Sequence, residues 1–238
     1  MVAPRVLFVV NDPVAPPALL GDVFTDLGYD TAIFEVVPAG AVDTPGLTVE
    51  FPDPLAYEVI VPLGARWAAY DEALPWIADE MTMIRDADAA GVGVLGVCFG
   101  GQVAARAHGG TVARSSEPEI GWCPVDTDAP DVVPGGPWFQ WHFDRFSAPA
   151  GSTVLARNDR ATQAFTIGHT LGLQFHPELD GPLLQAWLDN DGAEAAALGI
   201  DADALADQTA RLQSDADRRL HALVRGFLAR VARQPCPS

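Results

Sequence analysis

Short apolar runs rich in β-branched residues punctuate the first hundred positions of the chain, and polar positions with helical spacing separate them. Residues 5–10 (Arg5-Val6-Leu7-Phe8-Val9-Val10) are apolar without alternation, the pattern of a strand covered on both faces. Residues 31–37, 59–61 and 93–97 read as further strands. Between them, residues 18–27 form an amphipathic helix closed by Gly28. Residues 71–90 form a longer one, with Pro75 near its first turn, where a missing N–H is tolerated. Residues 11–17 read as a turn, and the proline-rich, weakly patterned stretch 38–54 as a loop. Strand and helix alternating at this spacing predict an α/β fold built on a doubly wound, mostly parallel sheet. Active sites in such sheets lie beyond the carboxyl ends of the strands.

The texture changes after His108-Gly109-Gly110. Short β-type pieces at 111–114, 121–125, 153–156, 164–167 and 171–175 are separated by Pro, Gly and Asp, as expected of antiparallel additions to the sheet edge. The aromatic-rich stretch 138–144 reads as a loop. From Pro182 the chain turns helical, and Leu205, Leu212, Leu220, Leu223, Phe227 and Val231 form a stripe suited to docking on the core. The expected organisation is one domain over 1–181, with the C-terminal helices of 182–238 packed on that same domain.

At 238 residues with 49% hydrophobic positions, the chain can bury a sizeable core. It carries 32 acidic residues against 14 basic ones, all arginine, for a net charge of −18. That balance argues against a phosphate backbone as partner, so no nucleic acid is expected. No apolar run approaches the roughly 18 residues that span a bilayer, so no membrane is expected either. The run 6–10 is cut off at once by Asn11-Asp12-Pro13, too soon for a secretory signal. Cys98, Cys123 and Cys236 are too few and too scattered for a disulfide framework or a zinc ribbon. The expectation is a cytoplasmic protein without metal or cofactor, with Cys123 a small buried residue.

Chemistry gathers at Val94-Leu95-Gly96-Val97-Cys98-Phe99-Gly100-Gly101-Gln102, where an apolar strand ends in a small-residue turn followed by a helix-compatible segment, 102–108. A cysteine on such an elbow stands exposed above the sheet edge. It also sits at a helix N-terminus, where backbone N–H groups and the macrodipole favour a thiolate. A cysteine nucleophile needs a base, and the base an orienting group. Among five histidines, His221 lies in the terminal helix, His108 at a helix end and His169 beside glycine in a hairpin turn. His142 and His176 remain. His176 continues the strand 171–175 into Pro177-Glu178, and residues two apart on a strand share a face. Glu178 could therefore fix the tautomer of His176 and stabilise its imidazolium. A purely structural His–Glu contact is the competing reading of that pair alone.

The two motifs together, Gly96 to Gln102 and Gln174-Phe175-His176-Pro177-Glu178, resemble the class I (triad) glutamine amidotransferase family with its flavodoxin-like fold. Tyr70-Asp71-Glu72, Pro75-Trp76, Glu119 to Trp122 and His142-Phe143-Asp144 extend the likeness to the stand-alone GMP-synthase-like amidotransferases, a branch that includes γ-glutamyl peptidases. The resemblance implies that Cys98 attacks the side-chain amide of glutamine or of a γ-glutamyl amide, giving a γ-glutamyl thioester. It implies that His176 relays the proton and activates water, that Glu178 orients His176, that the Phe99 N–H helps hold the oxyanion, and that Gln102 contacts substrate. His142 and Asp144 would lie near the pocket entrance.

One departure concerns the oxyanion strand, which commonly ends Gly-Gly-Pro in the family and here reads Gly64-Ala65-Arg66. If the second position needs φ > 0, Ala65 would cost roughly 1–2 kcal/mol. Arg66 and Trp67 could line the pocket mouth. Residues 179–238 contain nothing that resembles a nucleotide-binding synthetase half. Ammonia is therefore expected either to pass to a separate synthase subunit or to leave by simple hydrolysis. Two other classes are weighed. A dienelactone-hydrolase-type α/β-hydrolase shares the Gly-x-Cys-Phe-Gly-Gly elbow, but its acid precedes a late histidine, the reverse of Glu178 after His176. A catalytically silent binding or regulatory subunit of the same fold finds its only support in the altered turn at Ala65.

Overall fold

The computed structural model describes residues 2–232, and Cys236 lies outside them. In chain order the elements are β1 (Arg5–Val10), α1 (Ala18–Asp26), β2 (Asp30–Glu35), β3 (Val59–Pro62), α2 (Trp76–Ala89), β4 (Gly93–Val97) and α3 (Phe99–Ala107). There follow β5 (Thr111–Thr127), β6 (Gly136–Ser147), β7 (Thr153–Arg157), β8 (Thr162–Ile167), β9 (Thr170–Leu173), α4 (Gly181–Ala197) and α5 (Ala202–Arg230). The strands form one sheet in the order β2-β1-β3-β4-β9-β8-β7-β5-β6. The first five are parallel neighbours. From β9 to β6 every pairing is antiparallel, the edge extension that the sequence predicts.

The inner parallel strands β1, β3, β4 and β9 lack alternation because both of their faces are covered, whereas β2 at the edge leaves one face, with Ile33, exposed. Val6, Phe8 and Val10 of β1 point into a core shared with α1 and α5, while Leu7 and Val9 point into one shared with α2 and α3. The C-terminal stripe docks as expected, with Leu205, Leu220, Leu223, Phe227 and Val231 buried and Leu212 partly so. None of the described helices is long and apolar enough to cross a membrane.

Several boundaries differ from the sequence reading. The helix expected over 71–90 begins at Trp76, because Asp71 closes a turn of its own: its carboxylate accepts from Ala73 N–H at 2.9 Å and its carbonyl from Leu74 N–H at 3.2 Å. The helix after the elbow starts at Phe99 rather than at 102, so the glycine pair lies inside its first turn. The pieces 111–114 and 121–125 are the two ends of one strand, β5, with a register shift between Arg114 and Glu119. The stretch 138–144 is not a loop; it is the heart of β6, where Trp138 faces Cys123, Phe139 faces Trp122 and His142 faces Glu119. The strand expected over 171–175 ends at Leu173, and the segment beyond it is held by His176 N–H donating to Phe139 O at 2.8 Å.

Candidate active site

Cys98 is the residue between β4 and α3, and it adopts φ 49° and ψ −107°, a region that side-chain-bearing residues rarely occupy. Packing on both sides holds the turn there. Its N–H donates to Leu173 O at 2.9 Å, and the next turn of α3 is wedged between two strand ends. A Cβ on Gly100 would stand 2.1 Å from Pro62 O, and one on Gly101 would stand 2.2 Å from Leu173 O. Only glycines let the helix start so close to the sheet. The first N–H groups of a helix have no partner within it. Here Gly100 N–H goes to Leu63 O at 3.1 Å, tying α3 to the segment that follows β3, while Phe99 N–H opens the helix beside Cys98.

His176 and Glu178 lie beyond β9 on a turn rather than on a strand, yet they meet as expected. His176 Nδ1 donates to Glu178 Oε1 at 2.7 Å with both side chains buried. Nε2 of His176 is buried and has no hydrogen-bond partner among the described residues. Trp187 of α4 sets its ring edge-on to the imidazole at 4.7 Å, and Trp187 Nε1–H is pinned to Val14 O at 2.7 Å. Gly64 packs on the other side, where a Cβ would lie 3.2 Å from His176 Cε1. Burial alone would hold the imidazole neutral, but the charges of Cys98 and Glu178 beside it prevail and push its pKa up to about 10.

Cys98, His176 and Trp187 line a cavity of about 250 Å³ that also takes in Gly64, Ala65, Phe99, Gln102 and His142. Gln102 Nε2–H donates to Asp144 O at 3.1 Å. His142 lines the cavity with its ring held on both sides. Its Nδ1 meets Asp144 O at 2.9 Å, and its Nε2 meets Gln140 Oε1 at 3.1 Å and Glu119 Oε2 at 3.3 Å, so neither nitrogen is left for a ligand. Burial opposes ionisation of Glu119, but His142 and Asn158 hold its pKa below the usual value. Cys123 is half-buried rather than buried, and burial pushes its thiol up.

The altered turn carries no strain, since Ala65 is absent from the residues at positive φ. Arg66 takes over the anchoring. Asp12, fully buried, accepts from Arg66 N–H at 3.1 Å, Nε–H at 2.7 Å and Nη2–H at 3.1 Å. Asn11 Nδ2–H donates to Leu63 O at 3.2 Å and to Glu80 Oε1 at 3.1 Å. Burial pushes the Glu80 carboxyl up to about 8 against the smaller effect of Asn11. The sequence reading took Asn11 and Asp12 only as turn residues and missed Glu80. The one available signal was a carboxylate on the apolar face of a predicted helix. Arg66 and Trp67 line the cavity, as do Tyr70, Arg114, Asp144, Asp191 and Glu194.

The family model for class I glutamine amidotransferases matches residues 61–192. The chain is 39% identical over 98 residues to a glutamine-hydrolyzing GMP synthase of Thermomicrobium roseum, a match covering 38% of this chain and 18% of that protein. It is 29% identical over 182 residues to gamma-glutamyl peptidase 2 of Arabidopsis thaliana, covering 70% of this chain and 68% of that one. The crystal structure of a glutamine amidotransferase from Thermotoga maritima superposes with a TM-score of 0.82 at 25% identity, covering 98% of this chain and 100% of that one.

Proposed function

The chain belongs to the class I glutamine amidotransferase family, and from that premise we propose that it hydrolyses glutamine or a γ-glutamyl amide through a thioester on Cys98. The supporting observation is that the buried Cys98 and His176 line one cavity, with Nδ1 of the imidazole committed to the buried Glu178 and Nε2 without a hydrogen-bond partner among the described residues. Cys98 Sγ adds to the amide carbon, and the oxyanion falls to the N–H groups of Phe99 and of the Gly64-Ala65 turn; a single such donor typically contributes about 10²–10³ in rate. The C–N bond breaks as His176 hands its proton to the departing nitrogen. His176 then takes a proton from water, hydroxide opens the thioester, and glutamate leaves. Gln102 positions the substrate. His142 acts one step back, by fixing Asp144 and the wall of β6. The catalytic domain is residues 1–181, with the helices from 182 onward packed on the same domain. A site that depends on a free thiol fits a reducing, cytoplasmic setting.

The test is ammonia and glutamate release from glutamine and a panel of γ-glutamyl amides by the purified protein and by Cys98→Ala. Release that disappears in the variant is expected. No Cys98-dependent release from any substrate, with no labelling by a glutamine-mimicking diazoketone, overturns the proposal. A second reading, in which ammonia passes to a separate synthase subunit, draws on the similarity to the glutamine-hydrolyzing GMP synthase. Turnover that appears only with such a partner present would favour it.

A further inference from the structure

Two groups of polar residues line the cavity. In the first, Tyr70 Oη–H donates to Asp144 Oδ1 at 3.4 Å and Arg114 lies close enough to lower the Asp144 pKa against its burial. One cation and one anion together match the paired charges of an α-amino acid. The second group belongs to α4. Trp187, Asp191 and Glu194 stand at i, i+4 and i+7 of that helix and therefore share a face. All three line the cavity. A rise of about 1.5 Å per residue carries this face roughly 10 Å along the helix axis from Trp187 to Glu194.

The starting point of that face matters. Trp187 is in edge contact with His176, whose Nε2 is buried, unpartnered and the atom that must protonate the leaving nitrogen. A group carried by the leaving nitrogen can extend along this face from Trp187 towards Asp191 and Glu194. Arg66, which lines the same cavity and feels the charge of Asp191, is already bound in bidentate fashion by Asp12, and neither Asp191 nor Glu194 forms an ion pair among the described residues. An apolar ring followed by two carboxylates without an ion pair favours an aliphatic chain ending in a cation.

We propose that the site selects γ-glutamyl amides whose departing amine bears a second, positively charged group, such as the mono-γ-glutamyl derivative of an aliphatic diamine. This rests on the hydrolase reading above. The chemistry balances as before: the S–C bond forms, the C–N bond breaks, and the diamine departs with the proton of His176.

The experiment compares kcat/KM for mono-γ-glutamyl-1,4-diaminobutane, the isosteric γ-glutamyl butylamide and γ-glutamyl-4-aminobutyrate, with glutamine as reference. The cationic amide should be preferred over the neutral one by about tenfold at low salt, the scale of two partly exposed carboxylates. The anionic amide should be the poorest of the three. Added salt should shrink the preference, and Asp191→Asn with Glu194→Gln should bring the cationic-to-neutral ratio to about one. A neutral amide turned over as well as the cationic one, or a ratio that survives in the double variant, overturns the inference and leaves the hydrolase reading intact. Failure of every amide, glutamine included, removes the hydrolase reading itself.

Discussion

His176 sits between Cys98 and Glu178 inside the protein, and its charge state is the most directly measurable consequence of the site. Its imidazole signals should titrate near pH 10 by NMR rather than near the ordinary histidine value of about 6.5. Cys98→Ala should bring the midpoint down, because Cys98 leads the effects that raise it. A folded value above the unfolded one means that this group's contribution to stability is complete below about pH 6.5 and is lost as pH rises through about 10. Glu80 behaves in the same sense at lower pH. The unfolded chain gives up that proton above about 4.5 and the folded chain keeps it to about 8, so stability is lost between them. Glu80→Gln retains an acceptor for Asn11 and should match the parent at pH 4 in urea denaturation. At pH 7 it should exceed the parent by on the order of 3 kcal/mol; equal curves at both pH values would contradict the buried neutral carboxyl. Cys98, His176 and Glu178 could be singled out because each motif is local. Asp12 and Glu80 could not, since their partners lie 54 and 69 positions away and only the folded chain unites them.

At the scale of elements, α3 joins three strands. Gly100 sits against the end of β3, Gly101 against the end of β9, and Cys98 closes β4. A methyl at Gly100 would meet backbone oxygen at 2.1 Å, and backbone has nowhere to go. Gly100→Ala is therefore expected to cost at least about 3 kcal/mol and to abolish activity. Gly109→Ala, at φ 86° but with open space around it, should cost only about 1 kcal/mol and keep activity. Thermal melts of the two variants separate crowding from backbone strain. The parallel half of the sheet was legible from its continuous apolar runs. β6 was not, because Trp138, Phe139, Trp141 and His142 show no alternation that marks a strand, and their placement is decided by β5 across the ladder. The strain expected at the Gly64-Ala65 turn is absent for a related reason. Its geometry is set by the clamp between Asp12 and Arg66, not by the intrinsic preference of Ala65.

For the whole molecule, the C-terminal helices complete the core. Leu220, Leu223, Val224 and Phe227 of α5 belong to the cluster that covers one face of β1, β3 and β4. Exposing four such side chains costs roughly 6–12 kcal/mol, comparable to the entire stability of a domain. The full chain should unfold in a single calorimetric transition, and a chain ended after residue 197 should show no cooperative melt. A truncated form that melts sharply would make the helices an appendage. The docking stripe of α5 announced itself in the sequence. The contribution of α4 to the site did not, because its face is short, alanine-rich and takes its meaning from His176. The contact between Phe139 and His176 has a consequence for substrate size. β6 is the last strand of the sheet, yet its backbone curls back to hold the segment that carries His176. The width of the cavity and the placement of the imidazole are thus one mechanical variable. A leaving group bulky enough to push β6 outward also pulls the imidazole away from the thiol, so oversized amides should bind and stall, losing kcat while KM changes little.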